Sequence, residues 1–350
     1  MSRERNLQVP VYQTIWIGLD MKQLRVDESD IGRIAEKTVL SYGPNSATKA
    51  TSFWILLALA GIIATAGVAA DSTATVIGAM IVAPLMTPIL GTAYSLVIGK
   101  RKHLVNSLLT VFGGALLVIS IAFLFGMLDP VGALTESNLQ VEARIHPRLI
   151  DLIAAMATGM VGAFALVRSD ISDTLPGVAI AISLVPPLAV AGLTLHDGKT
   201  QEALGALLLF GTNVASIIFT ATLILLLYNV RETAKNAGFA VGSFRGWSLA
   251  AVLGSVVLVA IPHFIGTQKI INDTHTSFYL APLAEEWMQE NGWRVVSLGV
   301  REKKIKMVAF GPPPEITVDE LRETINEAGY ADYDLEVNLV VGRSKLSPGK

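Results

Sequence analysis

The sequence predicts an α-helical multi-pass membrane protein. It has about seven transmembrane helices, an inverted three-helix repeat containing interrupted helices, and a small C-terminal α+β soluble domain. Three observations predict this class. Of 350 residues, 52% are hydrophobic and only 16% charged, and the mean hydropathy is +0.53, more apolar than an ordinary soluble chain of this length. Seven apolar segments reach the length of about 20 residues that a bilayer requires. A stretch of the first half recurs in the second at a fixed offset of 99 residues.

The elements follow in order. Residues 1–50 read as an N-terminal polar arm with one strand-like piece, "TIWIGLD". Its start, "MSRERNLQVPVYQ", has charges but no apolar run behind them, unlike a cleaved signal peptide. Residues 51–266 read as the transmembrane domain: repeat 1 at about 52–128, repeat 2 at about 149–228, and an extra helix at 247–266. The seven spans are 52–70, 75–98, 104–128, 149–168, 176–195, 203–228 and 247–266. Residues 267–350 change character and predict helix 276–291, strands 293–300 and 304–311, helix 317–329 and strand 333–342. "TVDE" at Thr317 to Glu320 has the form of a capping box, and Gly329 suits a helix stop.

Charge sets exclusions and an orientation. The net charge of −2 gives no footprint for nucleic acid. Without cysteine there is no disulfide framework, thiolate metal site or nucleophilic thiol. The loop at Asp71 has no Lys or Arg, whereas "KRKH" at Lys100 to His103 is basic, as is the loop holding Arg231, Lys235 and Arg245. The positive-inside rule then places the N-terminus inside and the C-terminal domain outside.

The repeat carries the functional argument. Residues 58–128 align on 157–227 without a gap, with nineteen identities over 71 positions. They include Asp71 with Asp170, Pro88 with Pro187, and Gly99–Lys100 with Gly198–Lys199. Three spans per copy is an odd number, so the second copy enters from the opposite side and the repeat is inverted. The middle helix of each copy contains prolines: "APLMTP" with Pro84 and Pro88, and "SLVPPL" with Pro186 and Pro187. Proline removes a donor and clashes with the preceding turn. In hydrocarbon such irregular backbone survives only against protein or water. Matched interruptions in inverted repeats point to a central binding site; the alternative is kinks that only shape packing.

"IATAGVAADSTATVIGAMIVAPLMTPILG", "EARIHPRLIDLIAAMATGMVGAFAL", "LPGVAIAISLVPPLAVAG" and "GALLLFGTNVASII" resemble a family of prokaryotic membrane proteins with an uncharacterised hydrophobic domain, catalogued as a domain of unknown function. The resemblance covers roughly 35–230. It implies an integral membrane protein of a prokaryotic cell (inner) membrane and no particular chemistry. The family often has Asn where Asp71 stands and Gly where Thr87 stands.

Candidate pathway residues are Pro84, Thr87, Pro88, Pro186, Pro187, Asn213, Asp71 and Asp170. Asp71 and Asp170 lead into the interrupted helices, either as symmetric ion carboxylates or as helix N-caps. Thr212 and Asn213 stand mid-span, either bonding helices together or touching a ligand. "EARIHPRLID" brings Glu142, Arg144, His146, Arg148 and Asp151 to the mouth of the fourth span, as an ion-pair cluster or a selectivity element. The five histidines lack metal-ligand spacing, and His263 reads as interfacial. No Walker loop, H-E-x-x-H or G-x-S-x-G motif occurs. An intramembrane aspartyl dyad would need both carboxyls together, whereas inverted repeats put Asp71 and Asp170 on opposite faces. The sequence therefore predicts no enzyme, no cofactor and no metal. It predicts a transporter or channel for a small ion or solute, with the lipid bilayer and further copies of itself as partners. The alternative is a membrane-embedded scaffold or sensor signalling through the C-terminal domain.

Overall fold

The computed structural model describes residues 26–128, 138–168, 184–243, 246–301 and 303–342. The strand-like "TIWIGLD", Asp170, and the residues just before Leu184 lie outside these. Two units result, divided between Ile261 and Pro262.

The first unit opens on a helix that the polar arm was not expected to hold. Helix α1, Glu28–Thr38, buries Ile31, Ile34, Ala35 and Thr38. That i, i+3, i+4, i+7 spacing makes one apolar stripe. Glu28 and Asp30 in its first turn and Lys37 in its last suit the helix dipole. Helix α2 spans Ser46–Ala69, α3 Thr73–Val82, α4 Met86–Ile98 and α5 Arg101–Leu128. The short α6, Leu139–Ile145, precedes α7, Leu149–Val167. Then come α8, Val185–His196, α9, Thr200–Leu227, and α10, Val230–Asn236. Helix α11, Gly246–Glu290, contains the expected span 247–266 and the division between the units.

Among the described residues, four helices are long and apolar enough to cross a membrane: α2, α5, α7 and α9. The pair α3 and α4, bent by 47° at their junction, makes a fifth if it counts as one broken span. Of the expected span 176–195, only α8 and Leu184 are described.

Every residue of α4 from Pro88 to Ile98 is buried, and so is every residue of α8 from Val185 to Thr194. A helix apolar and buried all round belongs at the centre of a bundle. The longer helices surround them and turn large apolar side chains outward, such as Leu109, Phe112, Leu116 and Leu124 on α5. Helix α4 packs against α5 and α9, and α8 against α9 and α5. Glycine permits the closest of these approaches. A Cβ on Gly192 of α8 would stand 2.5 Å from both the Cβ of Ala122 and the carbonyl oxygen of Ile119 on α5.

The element boundaries share the offset seen in the sequence. Helices α4 and α8 start at Met86 and Val185, and α5 and α9 run over Arg101–Leu128 and Thr200–Leu227, each pair 99 residues apart. Gly99 and Gly198 end the half-helices with φ of 74° and 73°, the left-handed conformation that glycine adopts freely. The backbone bonds around them correspond: Lys100 N–H donates to Ser95 O, and Lys199 N–H to Thr194 O.

In the second unit, strands β1 (Arg294–Arg301), β2 (Lys304–Gly311) and β3 (Asp334–Val341) form a sheet in that order. The β1–β2 pair is an antiparallel hairpin, while β2 and β3 are parallel and joined through α12, Asp319–Ile325. Alternate residues Ile305, Met307 and Ala309 of β2 point into a core with Leu280, Ala284 and Met288 of α11 and Leu321 and Ile325 of α12. The capping box expected at Thr317 is not formed. The helix starts two residues later, at Asp319, with Val318 at the cap position and no side-chain cap bond. Asp319 and Glu320 then occupy the first turn and favour the dipole instead. Gly329, at φ 95°, ends the helical stretch as expected.

Substituting Gly192→Ala should force α8 away from the α5 backbone. Overpacking of this kind costs about 1–3 kcal/mol, seen as a lower melting temperature in detergent. Gly211→Ala is the control, because a Cβ there meets nothing within 4 Å.

Candidate functional site

The site is built around the junctions that start the two buried half-helices. Helix α3 ends at Val82, and α4 begins at Met86. Pro84 lies between them and supplies no N–H to the Met80 carbonyl, so the helical ladder stops there. The Thr87 N–H turns instead to the Pro84 carbonyl, at 3.2 Å. Pro88 is not itself a breaker. It is the third residue of α4, in the first turn, where an N–H would have no intrahelical acceptor. Pro186 and Pro187 likewise occupy the second and third positions of α8. Pro88 and Pro187 therefore both stand in the first turn of a helix: Pro88 just after the α3–α4 break, and Pro187 where the residues before Leu184 lie outside the described ones. Leu85 and Leu184, the residues before the two helices, are 1% and 2% exposed and belong to one apolar cluster. An open cavity of about 510 Å³ reaches Pro88 from the side of α2 and α5. Neither Pro186 nor Pro187 lines it.

A polar strip runs along α9, and its Thr220 stands against Gly159 of α7. Thr212, Asn213, Ser216 and Thr220 are each at most 2% exposed, and the spacing of 212, 216 and 220 puts three of them on one face. Thr212 and Thr220 donate back to the carbonyls of Leu208 and Ser216, both at 2.8 Å. The Ser216 hydroxyl, and that of Ser95 on α4, have no hydrogen-bond partner among the described residues. Helix α9 packs against α4, with Ala221 and Leu225 in one apolar cluster with Leu90, Ala93 and Val97. Sequence reading found Thr212 and Asn213 but missed Ser95, Ser216 and Thr220. Their signal is small polar residues recurring every four positions in an apolar span.

Asp71 does not cap α3, the helix it leads into. It follows α2 with φ 47°, and the cap of α3 is Ser72, which accepts from the Thr75 N–H. The Asp71 Oδ1 accepts from the Gln140 N–H at 3.0 Å, in the first turn of α6. Asn138 caps the same helix, accepting from Val141 N–H at 3.0 Å, and its Nδ2 donates to Val68 O at 2.7 Å. Gln140 Nε2 donates to Thr73 Oγ1 at 2.8 Å. Three side-chain bonds thus tie the end of α2 and the α2–α3 turn to the start of α6, across sequence separations of 67 to 70 residues. Arg144 closes the cluster by donating to the carbonyl and side chain of Gln140, and burial holds its guanidinium below the usual arginine value. Of the expected ion-pair cluster, Arg148 and Asp151 approach at 3.8 Å. Asp151 also accepts from the Arg148 N–H at 2.8 Å, at the start of α7.

Residues 80–219, from the end of α3 through both half-helices into α9, match the family described as "Domain of unknown function (DUF389)". The similarity is confined to this stretch, less than half of the chain. An uncharacterised protein of Methanocaldococcus jannaschii is 33% identical over 176 residues, which are 50% of this chain and 54% of that relative. The chain thus spans about half the length of the curated relative it matches. No solved structure matches. The matched stretch contains both proline pairs, Asn213 and helix α6, whereas Asp71 precedes it.

The Asp71 bond needs an oxygen, not a charge. Asp71→Asn keeps an acceptor and tolerates the left-handed backbone, so its melting temperature in detergent should stay near that of the unchanged protein. Asp71→Ala loses both advantages and should cost about 0.5–2 kcal/mol, as for other lost helix caps. Equal losses in the two variants would mean that the charge matters.

Proposed function

We propose that the protein is a transporter or channel that passes a small ion or solute between two repeats of inverted topology, in the cell membrane of a prokaryote. One observation carries this reading. Two short half-helices, α4 and α8, are buried on all sides, start 99 residues apart, and bring Leu85 and Leu184 into one cluster. Buried half-helices at corresponding positions are the usual framework of a midplane transport site. The reciprocal packing of α4 on α9 and α8 on α5 supports a symmetric relation between the repeats.

The chemistry available is neutral. Hydroxyls of Ser95 and Ser216, the amide of Asn213, and the carbonyl that Pro84 leaves without its donor are dipoles rather than charges. Dipoles can replace part of an ion's hydration while letting it leave again. Thr87 stands at the first turn of α4, where the positive end of the helix dipole favours an anion or a polar solute. Pro84, Thr87, Asn213 and Ser216 are the residues to which we assign the pathway. Asp71 is its structural border.

Two experiments test the reading. The chain has no cysteine, so an introduced thiol is unique. In inverted repeats, Lys102→Cys should react with an impermeant maleimide only from the cytoplasm, and Lys199→Cys only from outside. Labelling from the same side would end the inverted arrangement.

Flux is the second measurement. The full chain in proteoliposomes is screened with alkali, alkaline-earth and halide ions and with small amino acids. Pro84→Ala restores a donor for Met80 and should slow the transported species about tenfold, equivalent to about 1.4 kcal/mol on the barrier. Gly78→Ala, where a Cβ meets nothing within 4 Å, should leave the rate unchanged. Equal rates in the unchanged protein and Pro84→Ala would place the pathway elsewhere, and no flux of any probe would remove the transport reading.

A further inference from the structure

The cavity beside Pro88 opens sideways, away from the contact of α4 with α9. Its walls are the segment between α1 and α2, the first turns of α2, and the first turns of α5. Ser41, Ser46 and Asn106 line it toward the starts of α2 and α5, and Trp54 and Leu109 further along those helices, with the hydroxyls of Ser107 and Thr110 also in the lining. Trp54 closes one side against α5, since a Cβ on Gly113 of α5 would stand 3.1 Å from its ring. Trp54 and Leu109 are 39% and 64% exposed, on the flanks where α2 and α5 present apolar side chains outward. The volume of about 510 Å³ falls within the usual range of small-molecule sites, about 300–1,000 Å³.

Charge identifies the occupant. Lys102 stands one helical turn before Asn106, on the same face of α5. Lys100, Arg101 and Lys102 form no ion pair among the described residues. Lys49, on the α2 side, is by contrast neutralised by Glu36 at 2.8 Å. The groove therefore joins an uncompensated basic rim to hydroxyl and amide groups, and then to an aromatic and aliphatic wall. An anionic phospholipid has the same sequence of chemistries, from phosphate through glycerol esters to acyl chain. Basic pockets between helices near the membrane surface bind such headgroups.

We propose that this groove is a binding site for an anionic phospholipid. Arg101 and Lys102 hold its phosphate, Ser46 and Asn106 face the glycerol esters, and an acyl chain lies along Trp54 and Leu109 with Pro88 as the floor. The site depends on the chain spanning a bilayer, not on transport. It places a lipid against the first turn of α4, where it can bias the half-helix.

Trp54 is one of five tryptophans, so its emission is taken as the difference between the unchanged protein and Trp54→Phe. The full chain is reconstituted in phosphatidylcholine vesicles with rising fractions of phosphatidylglycerol brominated on its acyl chains. A matched series uses brominated phosphatidylcholine. Phosphatidylglycerol should quench Trp54 at least fivefold more tightly, since each basic group near an anionic headgroup contributes about 1 kcal/mol. In the double variant Arg101→Gln/Lys102→Gln the preference should fall toward unity, while quenching at saturation is retained and reports an intact groove. Equal affinity for the two lipids, or a preference that the double variant keeps, would overturn the proposal. Relief of quenching by inorganic phosphate at constant ionic strength would also overturn it, by reassigning the rim to a soluble anion.

Discussion

Hydrocarbon offers no hydrogen bonds, and that constraint shapes the membrane unit. A helix may stop inside the bilayer only where protein or trapped water surrounds its ends. Leu85, at the junction of α3 and α4, and Leu184, before α8, are both buried. Helices α4 and α8 are enclosed on all sides, while the long uninterrupted helices take the lipid contact. The glycines follow from the same demand. Enclosure requires backbones to approach, and Gly192 against Ile119 and Ala122 lets α8 lie directly on α5.

Much of this was legible in the chain because periodicity survives in apolar sequence. The 99-residue offset reappears in the starts of α4 and α8 and in the left-handed glycines at 99 and 198. The proline pairs were also legible, but their roles were assigned too uniformly. Pro84 lacks a donor for a carbonyl that needs one, whereas Pro88, Pro186 and Pro187 stand in first turns where none is needed. Position within the helix, rather than proline itself, decides between a break and a start.

Other features were hidden for physical reasons. Asp71 precedes α3 and so reads as its cap, yet it serves α6 from a sequence distance that no local pattern encodes. Helix α1 was hidden by its polarity. Its stripe of Ile31, Ile34, Ala35 and Thr38 carries the right spacing, but the surrounding charges lower the apolar average that marks a span. In the C-terminal unit, strand alternation located β1, β2 and β3 closely. The missed cap at Thr317 reflects a motif that competes with only one residue of helix start.

The reciprocal packing of the half-helices has a consequence for biosynthesis. Helix α4 finds part of its cover in α9, and α8 finds part of its cover in α5. A ribosome delivers α4 more than 100 residues before α9 is complete. For that interval the broken segment with Pro84 is inserted without one of its walls, and the nascent chain must hold it at the translocon or hydrate it. Truncation after α5 would leave a segment that neither lipid nor water accommodates well, a substrate for membrane quality control rather than a half-sized protein.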